Sequence, residues 1–147
     1  EVGIPLRLAG VIENQHREYF ETTMRRASSE EIEYLGPLDR GDLWRLLGDA
    51  LALVMPLRWH EPFGLVVVES LAAGTPVVAW RMGAMPEIVD ESVTGFLVDD
   101  VAGAVEVIER VDGLSRARCR SVAQERFSDQ RMASSYSNTY LSLATAR

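Results

Sequence analysis

Apolar and polar residues alternate through Pro5-Leu6-Arg7-Leu8-Ala9 and the run stops at Gly10, which predicts a short strand ending in a loop. Residues 14–27 are polar apart from Tyr19, Phe20 and Met24, whose spacing gives one narrow apolar face and predicts a surface helix. Ile32, Tyr34 and Leu35, closed by Gly36-Pro37, predict a second strand. Asp39-Arg40-Gly41-Asp42 then opens a helix through Leu43, Trp44, Leu46 and Leu47, with its acids at the positive end of the helix dipole.

Leu51-Ala52-Leu53-Val54-Met55-Pro56 is a continuous apolar run of strand length, as in a parallel strand buried on both faces. The following run contains Val66-Val67-Val68, which by propensity alone suggests another strand. Pro62 at a first-turn position and Gly74 as a stop outweigh that preference, so residues 62–73 are predicted as a helix. Val77-Val78-Ala79-Trp80 predicts a strand, residues 85–90 a short helix with Pro86 second, and Phe96-Leu97-Val98 a further strand. Amphipathic helices over 101–111 and 115–126 follow. Ser128 is placed to cap a last helix with Met132, Tyr136, Tyr140 and Leu143 along one side. Strands and helices alternate with short loops, which predicts an α/β fold: a doubly wound parallel sheet, Rossmann-like, with right-handed crossovers. Ligands of such sheets bind beyond the carboxyl ends of the strands, and the loop carrying Glu61 follows one of those ends.

Bulk composition narrows the class. With 147 residues, 47% hydrophobic and 25% charged, the chain has the size and make-up of one ordinary globular domain. A net charge of -7 argues against a nucleic acid or an anionic membrane as partner, because both need clustered basic residues. No apolar run reaches the about 18 residues of a membrane span. The single cysteine, Cys119, cannot form an intramolecular disulfide; it fits a reducing, cytoplasmic compartment and reads as a small residue on a helix. All 15 basic residues are Arg, a bias that looks genomic rather than functional. The chain opens on Glu1-Val2-Gly3-Ile4, with neither Met nor a signal-peptide pattern, and a fragment beginning inside a larger protein is expected.

The candidate chemistry lies between Glu61 and Gly74. Glu69 stands among Val66, Val67, Val68, Leu71 and Ala72, where a structural segment would carry Leu or Ala. Burying a carboxylate without partners costs several kcal/mol, so a polar partner is expected there. The amino end of the helix near Phe63 presents free backbone N–H groups, a ready anion site, and Gly64 lets a ligand approach the backbone. Glu69, about two turns along, offers two oxygens to a pair of neighbouring hydroxyls, as on a ribose. An anion site beside a diol site suits a nucleotide or a sugar phosphate. On spacing alone, a solvent-exposed Glu69 and a mere helix-start acid at Glu61 remain an equal alternative.

Glu61-Pro62-Phe63-Gly64-Leu65-Val66-Val67-Val68-Glu69 resembles the E-x7-E signature of retaining, GT-B-fold glycosyltransferases of the family 4 type. The likeness extends to Glu33-Tyr34-Leu35-Gly36-Pro37-Leu38, Ala73-Gly74-Thr75-Pro76-Val77-Val78, Gly83-Ala84-Met85-Pro86-Glu87 and Val93-Thr94-Gly95-Phe96-Leu97-Val98, in family order and at family spacing. The resemblance implies that residues 1–147 are a single nucleotide-sugar (donor) binding domain, the C-terminal half of a GT-B glycosyltransferase, without the N-terminal acceptor domain or the first strand. It implies that Glu69 holds the ribose hydroxyls and that Glu61, the catalytic residue, faces the transferred sugar. Phe63, Gly64 and Leu65 would meet sugar and diphosphate through backbone N–H groups, Leu38 would line the nucleobase pocket, and Gly83 and Glu87 would complete the donor site. The implied partners are a UDP- or GDP-linked sugar donor and a glycan, lipid or small-molecule hydroxyl acceptor held by the N-terminal domain; no cofactor and no metal are implied. A peripheral position at the inner membrane is compatible with such a full-length protein.

The chain also departs from the family. The glycine-basic motif that faces the diphosphate has no match in residues 1–10, and Arg7, Arg58 and Arg81 each read better as solvated surface residues. The isolated fragment is therefore expected to bind a nucleotide weakly and not to transfer sugar. His60 reads as loop packing or acceptor-side lining, Trp59 as ligand stacking or loop cover, and Glu87 as a helix cap as readily as a donor contact. In the family the terminal helix crosses onto the N-terminal domain, so the Tyr136/Tyr140 face should be left uncovered. A GT-B-fold sugar-nucleotide epimerase and a non-catalytic nucleotide-sugar-binding module with a partner chain remain the alternatives; Glu-Pro-Phe-Gly-Leu favours the transferase.

Overall fold

In the computed structural model, which describes residues 3–27 and 31–145, the strands pair as two parallel sheets, one in each of two compact units divided between Leu43 and Trp44. The first unit contains β1 (Leu6–Ala9), α1 (Arg17–Arg26) and β2 (Ile32–Gly36), with a 3-10 turn at Asn14–His16 leading into α1. β1 and β2 run parallel with Leu6 opposite Ile32 and Arg7 opposite Glu33. Phe20 of α1 lies against Tyr34 of β2, ring centroids 4.7 Å apart, and the Tyr34 hydroxyl donates to the Gly10 carbonyl at 2.7 Å. These contacts come from the stripe on α1 and the inward positions of β2, as the alternation predicts. α2 (Arg40–Asp49) begins in this unit and ends in the next. The Asp39 carboxylate accepts the Asp42 N–H at 2.8 Å, the cap that the acidic opening foretells.

The second unit continues with β3 (Leu53–Met55), α3 (Leu65–Ala73), β4 (Val77–Trp80), α4 (Met85–Ile88), β5 (Gly95–Val98), α5 (Val101–Ile108), α6 (Arg116–Phe127) and α7 (Asp129–Thr145). Its sheet has the order β3-β4-β5, all parallel. Successive residues of the strands serve opposite faces. Val77, Ala79 and Leu97 pack with Val67 and Leu71 of α3 and with Cys119 and Ala123 of α6, whereas Val78, Phe96 and Val98 pack with Val107 of α5 and with Val111. A sheet covered on both faces is what the apolar strands called for, and the α/β, parallel, Rossmann-like class is observed.

Three local expectations need correction. β3 is shorter than the apolar run and is not buried on both faces: Val54 is 36% exposed. Among the described residues of its unit, β3 pairs only with β4 and stands at the edge of the three-stranded sheet. The helix after it starts at Leu65 rather than at Pro62, because Gly64 adopts a left-handed conformation (φ 84°, ψ 62°) that a helix cannot include. The helix predicted over 101–111 stops at Ile108, and a separate 3-10 turn covers Val111–Gly113.

The amino-terminal edge of this sheet is tied by Arg116, the first residue of α6. Its guanidinium donates to the carbonyls of Gly48 and Ala50 and to Thr75 Oγ1, at 2.7 Å for the last. Thr75 Oγ1 in turn donates to the Leu47 carbonyl. The end of α2 and the turn before β4 are thereby closed in one network. Cys119 is fully buried one turn further along α6, and burial pushes its thiol pKa up, against a weaker downward pull from Arg116. Ser128 Oγ accepts the Arg131 N–H at 3.3 Å and starts α7 as expected. No residue of α7 is buried, and Met132, Tyr136, Tyr140 and Leu143 all stand exposed. No described helix is long and apolar enough to cross a membrane.

Candidate functional site

Two loops follow the carboxyl ends of β3 and β4, and the main chain of Glu61 joins them. The Ala84 N–H donates to the Glu61 carbonyl at 2.9 Å, and the Glu61 N–H donates to the Trp59 carbonyl at 3.0 Å. Gly83 (φ 58°) lies flat against this crossing: a Cβ there would come within 2.5 Å of the Glu61 carbonyl oxygen and 2.6 Å of its nitrogen. Only glycine satisfies both the left-handed backbone and that approach. The Glu61 side chain is half-buried, and its Oε2 accepts the Trp59 indole N–H at 3.1 Å. Glu61 and Gly83, distant in sequence, are thus in direct backbone proximity.

Gly64 is buried at the start of α3, and the space a Cβ would need is taken by the Met85 methyl (2.7 Å) and approached by Glu61 Cγ (3.7 Å). Its glycine is therefore favoured by the left-handed backbone, independently of any ligand, while the Met85 methyl is the end of a flexible side chain that can shift. α3 has no side-chain cap, and the N–H groups of Leu65 and Val66 find no acceptor among the described residues. Glu69 lies on this helix between the half-buried Val68 and the fully buried Ser70. The expected polar partner is not found: Glu69 makes no hydrogen bond or ion pair among the described residues. Its residue is only half-buried, and no buried side-chain polar atom lacks a partner, so its oxygens reach solvent. A carboxylate left open in this way is available as an acceptor.

Phe63 and Glu87 belong to a second feature. They line a cleft of about 380 Å³ together with Arg126, Phe127 and Arg131. Phe63 meets Phe127 edge-on, centroids 6.3 Å apart. Arg126 donates to the carbonyls of Glu87 and Ile88 and pairs with Asp90 at 2.7 Å, so it closes the carboxyl end of α4. Glu87 is exposed, its carboxylate has no partner among the described residues, and α4 has no side-chain cap. Leu38 lies in the first unit, half-buried in the loop between β2 and α2. Ala84 and Met85 belong to the block quoted for the resemblance, but their contacts with Glu61 and Gly64, like those of Arg126 with Glu87 and Ile88, are not legible in any local pattern because the partners lie far along the chain.

The basic candidates separate clearly. Arg7 pairs with Glu33 at 3.4 Å in the first unit. Arg81 donates to the Leu97 carbonyl at 2.9 Å and faces Glu91 and Asp99. Arg58 is exposed in the loop before Glu61 and makes no hydrogen bond or ion pair among the described residues. His60 is exposed in the same loop.

With this geometry in view, the family model described as Glycosyl transferases group 1 matches residues 2–126. A D-inositol 3-phosphate glycosyltransferase of Mycobacterium sp. (strain KMS) is 40% identical over 99 residues, covering 66% of this chain and 22% of its own. Sucrose-phosphate synthase from Thermosynechococcus elongatus superposes with a TM-score of 0.80 at 27% identity, over 97% of this chain and 39% of that one. Anabaena Alr3699/HepE, solved in complex with UDP, shares the fold with a TM-score of 0.79 at 23% identity, over 92% of this chain and 41% of its own. The chain spans about a third or less of the length of the curated relatives it matches.

Proposed function

Because this chain belongs to the group 1 glycosyl transferase family, we propose that it is the nucleotide-sugar-binding half of a retaining, family 4 type hexosyltransferase. In this reading it takes a UDP- or GDP-linked sugar and works with an acceptor domain that binds a glycan, lipid or small-molecule hydroxyl. The observation that carries the reading is the open carboxylate of Glu69 on the helix whose first N–H groups, those of Leu65 and Val66, have no acceptor. A ribose diol on Glu69 and a diphosphate at the helix end would satisfy all of these groups at once.

Glu61 would then face the hydroxyls of the transferred sugar. As the bond between the anomeric carbon and the diphosphate oxygen breaks, the acceptor hydroxyl oxygen bonds to that carbon on the same face, its proton passes to the leaving diphosphate, and negative charge grows on that group. The backbone N–H groups of Leu65 and Val66 stabilise that charge, and Glu61 orients the oxocarbenium-like sugar. Gly83 keeps Glu61 in place, Phe63 and Glu87 extend the site along the cleft, and Leu38 lines the nucleobase pocket. This chemistry calls on no metal or cofactor. The chain by itself binds a nucleotide weakly and transfers no sugar.

The test is calorimetric titration of UDP, GDP and ADP into the protein that carries this chain, repeated with Glu69→Ala. Loss of two hydrogen bonds to a charged acceptor should weaken the preferred nucleotide by about tenfold or more. If Glu69→Ala leaves the affinity of every nucleotide unchanged, the ribose assignment is wrong.

A further inference from the structure

Glu61 is held by its main chain from two sides, yet its carboxylate has a single protein partner, the Trp59 indole N–H on Oε2 at 3.1 Å. The other oxygen, Oε1, has no partner among the described residues. The two residues are also joined through the backbone, with the Glu61 N–H on the Trp59 carbonyl at 3.0 Å. Trp59 therefore grips Glu61 at both ends, although only one residue separates them.

The choice of donor matters chemically. An indole N–H is a neutral donor that cannot accept a proton at any accessible pH. It fixes the direction of a carboxylate while leaving its charge whole and its second oxygen open. An Arg or Lys at the same place would orient the group equally well but would cancel the charge that a sugar hydroxyl or a developing oxocarbenium is to meet. Trp59 is 58% exposed, so burial of the ring does not account for so large an apolar side chain in this loop.

We propose that Trp59 is a positioning residue for Glu61, holding Oε2 so that Oε1 is presented to the sugar of the bound donor. The inference rests on the reading of Glu61 as the sugar-facing carboxylate. Its consequence is a selective one: removing the indole N–H disturbs recognition of the sugar and leaves recognition of the nucleotide alone.

The test compares a nucleotide with its sugar-linked form, UDP against UDP-glucose and GDP against GDP-glucose, by calorimetry on the protein that carries this chain. Trp59→Phe keeps an aromatic ring and removes the donor; Glu61→Gln and the double substitution complete a cycle, with circular dichroism confirming that each variant is folded. Trp59→Phe should weaken the nucleotide-sugar about three- to tenfold, the range of one ordinary net hydrogen bond, because the lost contact acts on the sugar only through Glu61, and leave the bare nucleotide within about twofold. Once Glu61→Gln is in place, Trp59→Phe should weaken the sugar-linked form less than in the parent, because the amide oxygen still accepts the indole N–H but no longer carries the charge being positioned. If Glu61→Gln weakens the nucleotide-sugar and Trp59→Phe does not, the proposal is wrong and the reading of Glu61 stands. If Trp59→Phe weakens nucleotide and nucleotide-sugar alike, the residue is structural and the proposal again fails. If Glu61→Gln affects neither, the reading of Glu61 falls and this inference falls with it.

Discussion

The α-carbon of Gly83 rests against the peptide of Glu61, close enough that a methyl group there would overlap the Glu61 carbonyl oxygen at 2.5 Å. The loop after β4 thus sets the position of the loop after β3. Gly83→Ala should combine that overlap with the cost of a non-glycine residue at φ 58°, about 1–3 kcal/mol from the backbone alone. The expected result is a lower Tm together with loss of nucleotide-sugar binding. A variant of unchanged Tm and affinity would show that the two loops move independently.

Arg116→Met removes three hydrogen bonds at once and leaves Thr75, which is fully buried, with one partner fewer. The guanidinium itself is only half-buried, so the loss should be moderate, about 2–3 kcal/mol. Urea unfolding followed by far-UV circular dichroism measures it. Because these bonds lie at the amino-terminal edge of the sheet, nucleotide affinity should stay unchanged in the folded fraction.

Glu87→Gln tests an exposed carboxylate without a partner among the described residues. Stability should stay within about 0.5 kcal/mol of the parent, since nothing in the fold depends on the charge. If Glu87 takes part in donor binding, calorimetry with UDP-glucose or GDP-glucose should show weaker binding at equal Tm. Equal affinity as well would remove Glu87 from the site.

Alkaline pH should destabilise the chain through Cys119. Burial raises the thiol pKa in the folded state above the ordinary 9.0. The unfolded chain therefore loses its proton first, and stability is full below pH 9.0 and falls as the pH climbs from there towards the folded-state value. Cys119→Ala should flatten this limb in Tm measured against pH. It should also lower the overall Tm, because a fully buried side chain is shortened.

Much of the fold could be read from the chain because its determinants are local. Val77-Val78-Ala79 and Phe96-Leu97-Val98 are apolar without interruption, and they form the strands buried on both faces. Asp39 and Ser128 sit where a capping side chain is needed, and both cap. The start of α3 was harder: Pro62 is a good first-turn residue, but the left-handed Gly64 two residues on breaks the run, and no propensity scale weighs such a geometric conflict. β3 is less buried than its apolar run suggests, since such a run expresses a preference for burial and not which strands its unit pairs with it. Glu61 and Glu69 are recognisable as chemistry, and Gly83 and Trp59 stand out as candidates, but that they hold Glu61 is not legible in the sequence. Ala84 and Gly83 act through the peptide, which carries no sequence signature, and Trp59 acts through a single N–H. Arg116 and Arg126 reach carbonyls far along the chain, where any residue would present the same acceptor.

α7 adds 17 residues of helix and not one buried side chain. Its hydrogen bonds therefore borrow no protection from the core, and the helix can fray or detach while both clusters around β4 stay packed. In native-state hydrogen exchange its amides should open at a small fraction of the global free energy, ahead of those of α3 and α6. Pairing it with a partner would slow the exchange of its own amides first. The helix is expected to open separately from the core around β4, as a region of low local stability.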